Sequence, residues 1–121
     1  MDYSSDLKER LFHFATRCIK FLRTLPTRDE YKIIKYQLIK ASTSSGANYN
    51  EAQAATTKAD FHNKVKISLR EIIESNYWLN ILDAIVDVKI DRDELLSLIK
   101  ESEELIKILG TIANKTKKDI S

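Results

Sequence analysis

One proline, Pro26, and two glycines, Gly46 and Gly110, are the only strong chain breakers among 121 residues. β-Hairpins and sheet corners need such residues at short intervals, because tight turns demand positive φ or a preset φ. A chain so poor in them is expected to form long helices joined by short loops. The apolar spacing agrees. Leu7, Leu11, Phe14, Cys18, Phe21, Leu22 and Leu25 recur at helical intervals up to Pro26. With 3.6 residues per turn, the same arc takes in Phe12, Ala15 and Ile19, about half the circumference, opposite Arg10, His13, Arg17 and Lys20.

Thr27-x-x-Glu30 reads as a capping box that opens a second helix, from about residue 28 to about residue 56. A third runs from about 60 to about 87, with Phe61, Val65, Leu69, Ile72, Leu79 and Val86 as its main stripe. Asp91-x-x-Glu94 opens a fourth, which carries Leu95, Leu98, Ser102, Leu105, Leu109 and Ile112 at heptad spacing before a frayed polar tail. Short loops between long helices make neighbours antiparallel. The expected fold is all-α: one domain over 1–121, an up-down-up-down four-helix bundle with two long central helices.

The stretch Ala41-Ser-Thr-Ser-Ser-Gly-Ala47 tests that reading, since it resembles a loop or a phosphate cradle. It lacks P-loop spacing, a following Lys-Ser/Thr and a preceding strand. If the helix continues, Ile34, Leu38, Ala41, Ser45, Tyr49 and Ala52 share one face. The small polar residues then lower helix propensity by on the order of 3 kcal/mol in sum relative to alanine. Close packing of a neighbouring helix offsets that cost, and Asn48 is expected to hydrogen-bond across to Ser68 or Glu71.

Helix three has a second apolar group, Ile67, Trp78, Ile81 and Ile85, nearly opposite its main stripe and beside Glu71 and Glu74. A helix apolar on both sides is normally buried on both. A lone four-helix bundle leaves one side exposed, so self-association into a closed homo-oligomer is expected.

Little chemistry is visible. Cys18, the one cysteine, cannot form an intramolecular disulfide, and it reads as a small core residue. Glu51, Glu71 and Glu74 are the best carboxylates for a metal or for acid–base work. Di-metal bundles, however, carry Glu-x-x-His pairs, and here Arg10 and Ala59 precede His13 and His62 at that spacing. No nucleophile–histidine constellation is evident, and the expectation is a non-enzyme without metal or cofactor. No apolar run approaches bilayer length, and Met1 to Asp6 lacks a leader pattern, so the cytoplasm is the expected compartment.

Net charge is +2, a weak overall field for a polyanion. Residues 31–80 hold seven Lys/Arg against four Asp/Glu, whereas 81–121 hold seven against nine. Candidate phosphate contacts are the helix-one row Arg10, Arg17 and Lys20 and the central set Lys32, Lys35, Lys40, Lys64, Lys66 and Arg70. Without a recognition-helix motif, such binding is to backbone and shape.

Two motifs carry a family resemblance. One is Ser44-x-x-x-Asn48-x-x-Glu51, within Gln37 to Ala52; the other is Ser68-x-x-Glu71-x-x-Glu74, followed by Asn76-Tyr-Trp-Leu79. With Phe61 and the helix order, they resemble the bacterial four-helix-bundle proteins encoded in intervening sequences of 23S ribosomal RNA genes. The match departs at Gln53, where many members have glycine, and at Asn48-Tyr-Asn-Glu51, where many read Asn-Ile-Ala-Glu. The resemblance implies a homopentameric ring. A related branch, the accessory protein of diversity-generating retroelements, is strongly basic and binds nucleic acid and a reverse transcriptase. Two functional classes follow for this chain: an accessory protein that binds structured RNA or DNA, or a scaffold for a protein partner such as a reverse transcriptase.

Overall fold

The computed structural model describes residues 3–120, with side chains from Asp6 onward; Met1 and Asp2, in the segment read for a leader, and Ser121 lie outside the described residues. Four helices account for nearly all of it: α1 Tyr3–Leu22, α2 Asp29–Ala52, α3 Lys58–Ile85 and α4 Arg92–Ile120. Each packs on its chain neighbour, α1 also touches α4, and diagonal pairs make no contact. The cross-section is therefore a square of antiparallel helices, as the short loops require.

Helix ends follow local chemistry. After Leu22 the chain tightens, with Thr24 N–H bonded to Phe21 O and Leu25 N–H to Leu22 O at 3.0 and 3.1 Å, and Pro26 stops it. Leu25 remains buried although α1 has ended, which is why its apolar pattern overran the helix. The box at Thr27 does not form. Arg28 is the N-cap and makes no side-chain cap bond, so Thr27 sits one residue too early, and the Glu30 carboxylate pairs with Arg28 Nε at 3.3 Å instead. Thr57 caps α3 by accepting from Asp60 N–H at 3.0 Å, which starts that helix at Lys58 rather than at about 60. Asp91 accepts from Glu94 N–H at 3.0 Å, but the Glu94 carboxylate turns to Arg17, leaving half a capping box. α2 and α3 close at Ala52 and Ile85, short of the expected 56 and 87. The polar C-terminal segment is not frayed: α4 continues to Ile120, with Lys117 and Lys118 in its last turn, where they complement the helix dipole.

The small-residue stretch is helical throughout. Ser42 and Ser45 are fully buried, and each hydroxyl donates to a carbonyl of its own helix, Ser45 Oγ to Ser42 O at 2.8 Å. Ser68 Oγ of α3 donates to Ser45 O at 2.7 Å, so the neighbouring helix does come close. The cross-helix donor is this serine, not Asn48. Asn48 Nδ2 turns back to Ser44 O and Oγ at 2.9 and 3.1 Å, because its position on the flank of α2 places its own preceding turn within easier reach.

Gly46 is not required by that approach. A Cβ there would lie 3.7 Å from Leu11 Cβ, an ordinary contact, and one on Gly110 would meet nothing within 4 Å. Gly46→Ala and Gly110→Ala are each expected to raise stability by up to about 1 kcal/mol in urea unfolding. A loss at position 46 would mean that α1 and α2 sit closer together than these distances.

The core is an apolar cluster running the length of the bundle, with Phe14, Tyr31, Leu38, Ile72, Leu79 and Leu105 among its members. Ser42, Ser45, Ser68, Ser75 and Ser102 interrupt it as fully buried hydroxyls. At one end, Arg28 stacks over Tyr31, 5.0 Å from the ring centroid, and pairs with Asp87, tying the α1–α2 loop to the α3–α4 loop. That guanidinium also holds the Asp87 carboxyl below the usual range.

Candidate functional site

A square bundle presents four faces, and the candidate residues distribute over all of them. The α1–α4 face is closed by charge. Arg10 grips Glu101 through two bonds, of 3.1 and 2.7 Å, and reaches Glu104 at 2.9 Å. Arg17 does the same with Glu94, at 3.2 and 2.9 Å, and adds Ser97 Oγ at 2.8 Å. Hydrogen bonding to these carboxylates raises the pKa of both guanidiniums further. Two of the helix-one phosphate candidates therefore already hold internal anions. Lys20 is exposed and carries no ion pair among the described residues.

The α2–α3 face brings the motif residues of α2 to Glu71, Glu74 and the second apolar group of helix three. Lys64 Nζ lies 3.5 Å from Glu51 Oε2 across the two helices. Helical spacing from that pair puts Ile33, Lys40, Ser44 and Asn48 of α2 beside Ile67, Glu71, Glu74, Trp78, Ile81 and Ile85 of α3. Ser68 is the exception, since it lies in the core. Burial raises the Glu71 carboxyl above its usual range; the neighbouring charge of Glu74 adds to this, while Lys40 and Arg70 oppose it. Trp78 Nε1 is the one buried side-chain polar atom without a hydrogen-bond partner among the described residues. Here the single chain satisfies itself least.

The α1–α2 face is a groove of about 290 Å³ floored by Ala15 and Gly46, with Phe12, Ile19 and Ala47 along its walls. Lys32 and Lys35 lie along the α1-facing side of α2, and Lys35 Nζ donates to Leu25 O at 2.9 Å.

The α3–α4 face carries a second group of cations without carboxylate partners. His62 Nδ1 to Thr116 Oγ1, at 2.7 Å, and Asn76 Nδ2 to Ser102 Oγ, at 2.8 Å, fix which sides of these helices meet. Counting in helical turns from those contacts, Lys66, Arg70, Ile73 and Tyr77 of α3 lie beside Lys100, Glu103, Lys107 and Gly110 of α4. Lys66, Arg70, Lys100 and Lys107 are exposed, and none pairs with a carboxylate within 4.0 Å among the described residues. Lys100 and Lys107 were hidden by the acidic balance of the last forty residues. Their seven-residue spacing, which keeps them on one side of a helix, was the available signal.

Little reactive chemistry converges. His13 is exposed on α1, 3.6 Å from Glu9 Oε2, whereas His62 is buried on α3 against Thr116. Burial pushes the Cys18 thiol up to about 12. No group of three or more His, Cys, Asp or Glu among the described residues is placed to hold a metal ion, and no described helix is long and apolar enough to cross a membrane.

An all-α four-helix bundle with its motif residues, buried Ser68 apart, on one outer face is the class this geometry defines. The chain belongs to the 23S rRNA-intervening sequence protein family, whose model matches residues 4–111. It is similar to a crystal structure of a protein of unknown function from the S23 ribosomal protein family of Bacteroides thetaiotaomicron. The two are 32% identical with a TM-score of 0.78, over 88% of this chain and 97% of that one. No curated protein is similar enough to count as a match.

Proposed function

We propose that this protein is a non-enzymatic accessory factor that assembles into a closed homo-oligomeric ring and binds the phosphate backbone of structured RNA or DNA. The ring has five subunits on the family resemblance. The observation that carries the binding is the α3–α4 face, where exposed Lys66, Arg70, Lys100 and Lys107 share a side with one acid, Glu103, and with exposed Tyr77. Unpaired cations give up little on meeting phosphate, whereas Arg10 and Arg17 would first have to release their carboxylates. Repetition around a ring multiplies a patch that is modest in one subunit. A tyrosine beside the cations offers a stacking surface for an unpaired base.

Fluorescence polarisation with a labelled structured RNA tests this. Binding is expected to weaken steeply with salt, and Lys66→Glu with Arg70→Glu to weaken it by about tenfold or more at low salt. Arg10→Gln, which alters a paired arginine, is expected to change it little. No binding at low salt, or equal loss from all three substitutions, would remove the proposal. A stable protein partner recovered after nuclease treatment would favour the scaffold reading instead.

A further inference from the structure

The α2–α3 and α1–α2 faces differ in shape and in sign of charge. The first exposes Ile33 and Ile85 beside half-buried Trp78 and Ile81, with Glu71 and Glu74 carrying no ion pair among the described residues and Lys40 close by. The second is concave, floored by Ala15 and Gly46, and Lys8 lines it. Arg23 and Lys32 extend its rim along the same sides of α1 and α2, both exposed and without an ion pair among the described residues. Each face leaves a large apolar side chain in water: Phe12 is 61% exposed in the groove, and Ile33 is 60% exposed on the facing ridge.

We infer that one copy of this chain seats its α2–α3 ridge in the α1–α2 groove of the next, a head-to-tail interface that builds the ring. Charge selects this pairing. Ridge against ridge would set Glu71 and Glu74 near their own copies, and groove against groove would set lysine near lysine; ridge in groove sets carboxylates near lysines. Fit selects it as well, since the small floor residues Ala15 and Gly46 leave room for the exposed isoleucines Ile33 and Ile85. The angle between the faces suits a ring as well: they share α2 and diverge by roughly a right angle in a square bundle, so repeated contact turns from copy to copy, as closure requires, whereas opposite faces would run straight into a filament. The α3–α4 face stays uncovered in every copy.

This rests on the homo-oligomer reading, and mixing two variants tests it by light scattering. Phe12→Glu spoils the groove and Ile33→Lys spoils the ridge, both at exposed positions where melting curves should match the wild type. Each variant alone is expected to be monomeric. An equal mixture is expected to give dimers and nothing larger, because one sound ridge then meets one sound groove. If either variant alone keeps the wild-type mass, or the mixture stays monomeric, the pairing of these faces is overturned. If the wild type itself is monomeric, the ring reading falls with it, a result distinct from the other two.

Discussion

Replacing Phe14 with alanine is expected to cost about 3–5 kcal/mol of stability, enough to remove most of the cushion of a domain this size. Phe14 is 1% exposed at the centre of the α1 seam and joins the continuous core cluster. Removing its ring leaves a cavity between helices that cannot easily collapse. The obvious rival for holding α1 in place is the pair of arginine clamps to α4. Those guanidiniums keep 29% and 35% of their side-chain surface exposed, so water and salt screen them. Removing both by Arg10→Ala and Arg17→Ala is expected to cost about 1–2 kcal/mol, less at high salt. Urea unfolding of the two variants decides which effect dominates. An arginine loss equal to the Phe14 loss would mean that the clamps, not apolar burial, secure α1.

Ser45→Leu is expected to be almost as damaging. The position is fully buried, and its carbonyl accepts the Ser68 hydroxyl at 2.7 Å, so two helices already meet there. Overfilling costs about 1–3 kcal/mol. If α3 is forced outward, the Ser68 hydroxyl also loses its acceptor, at a further cost of about 1–3 kcal/mol. Ser45→Ala supplies the control, because it removes one own-helix hydrogen bond without adding bulk, and it is expected to be within about 1 kcal/mol of wild type. Equal stability of the leucine variant would mean that α2 and α3 have slack at this level.

The helices and their order were legible because apolar periodicity is long-range and redundant. Leu95 to Leu109 declare α4 whatever happens at its ends. The ends were less legible, since one residue decides them: Thr27 is a sound cap by type, yet the chain enters α2 at Arg28. The continuity of α2 through Ala41 to Ala47 was readable from the helical spacing of its apolar face, although the residue reaching across proved to be Ser68 rather than Asn48. Partnership of charges was not readable. Arg10 and Glu101 are 91 positions apart, and only packing tells which arginines are occupied and which lysines stand open. The same packing brought Asn48 and Glu51 of α2 to the surface where Glu71 already stood beside Trp78 and Ile81 in the sequence.

Serines in the core have one more effect, on vertical register. A seam of leucines alone can slide by a heptad and repack at small cost, since one leucine layer resembles the next. Two hydrogen bonds deny that freedom here: Ser68 Oγ to Ser45 O pins α3 to α2, and Asn76 Nδ2 to Ser102 Oγ pins α3 to α4. Slipping α4 by seven residues would set Leu95 or Leu109 in place of Ser102 against Asn76, leaving its amide without that acceptor, and would carry Lys107 away from Arg70. The alignment that brings four cations together on the outside is thus set by one amide and a few hydroxyls on the inside.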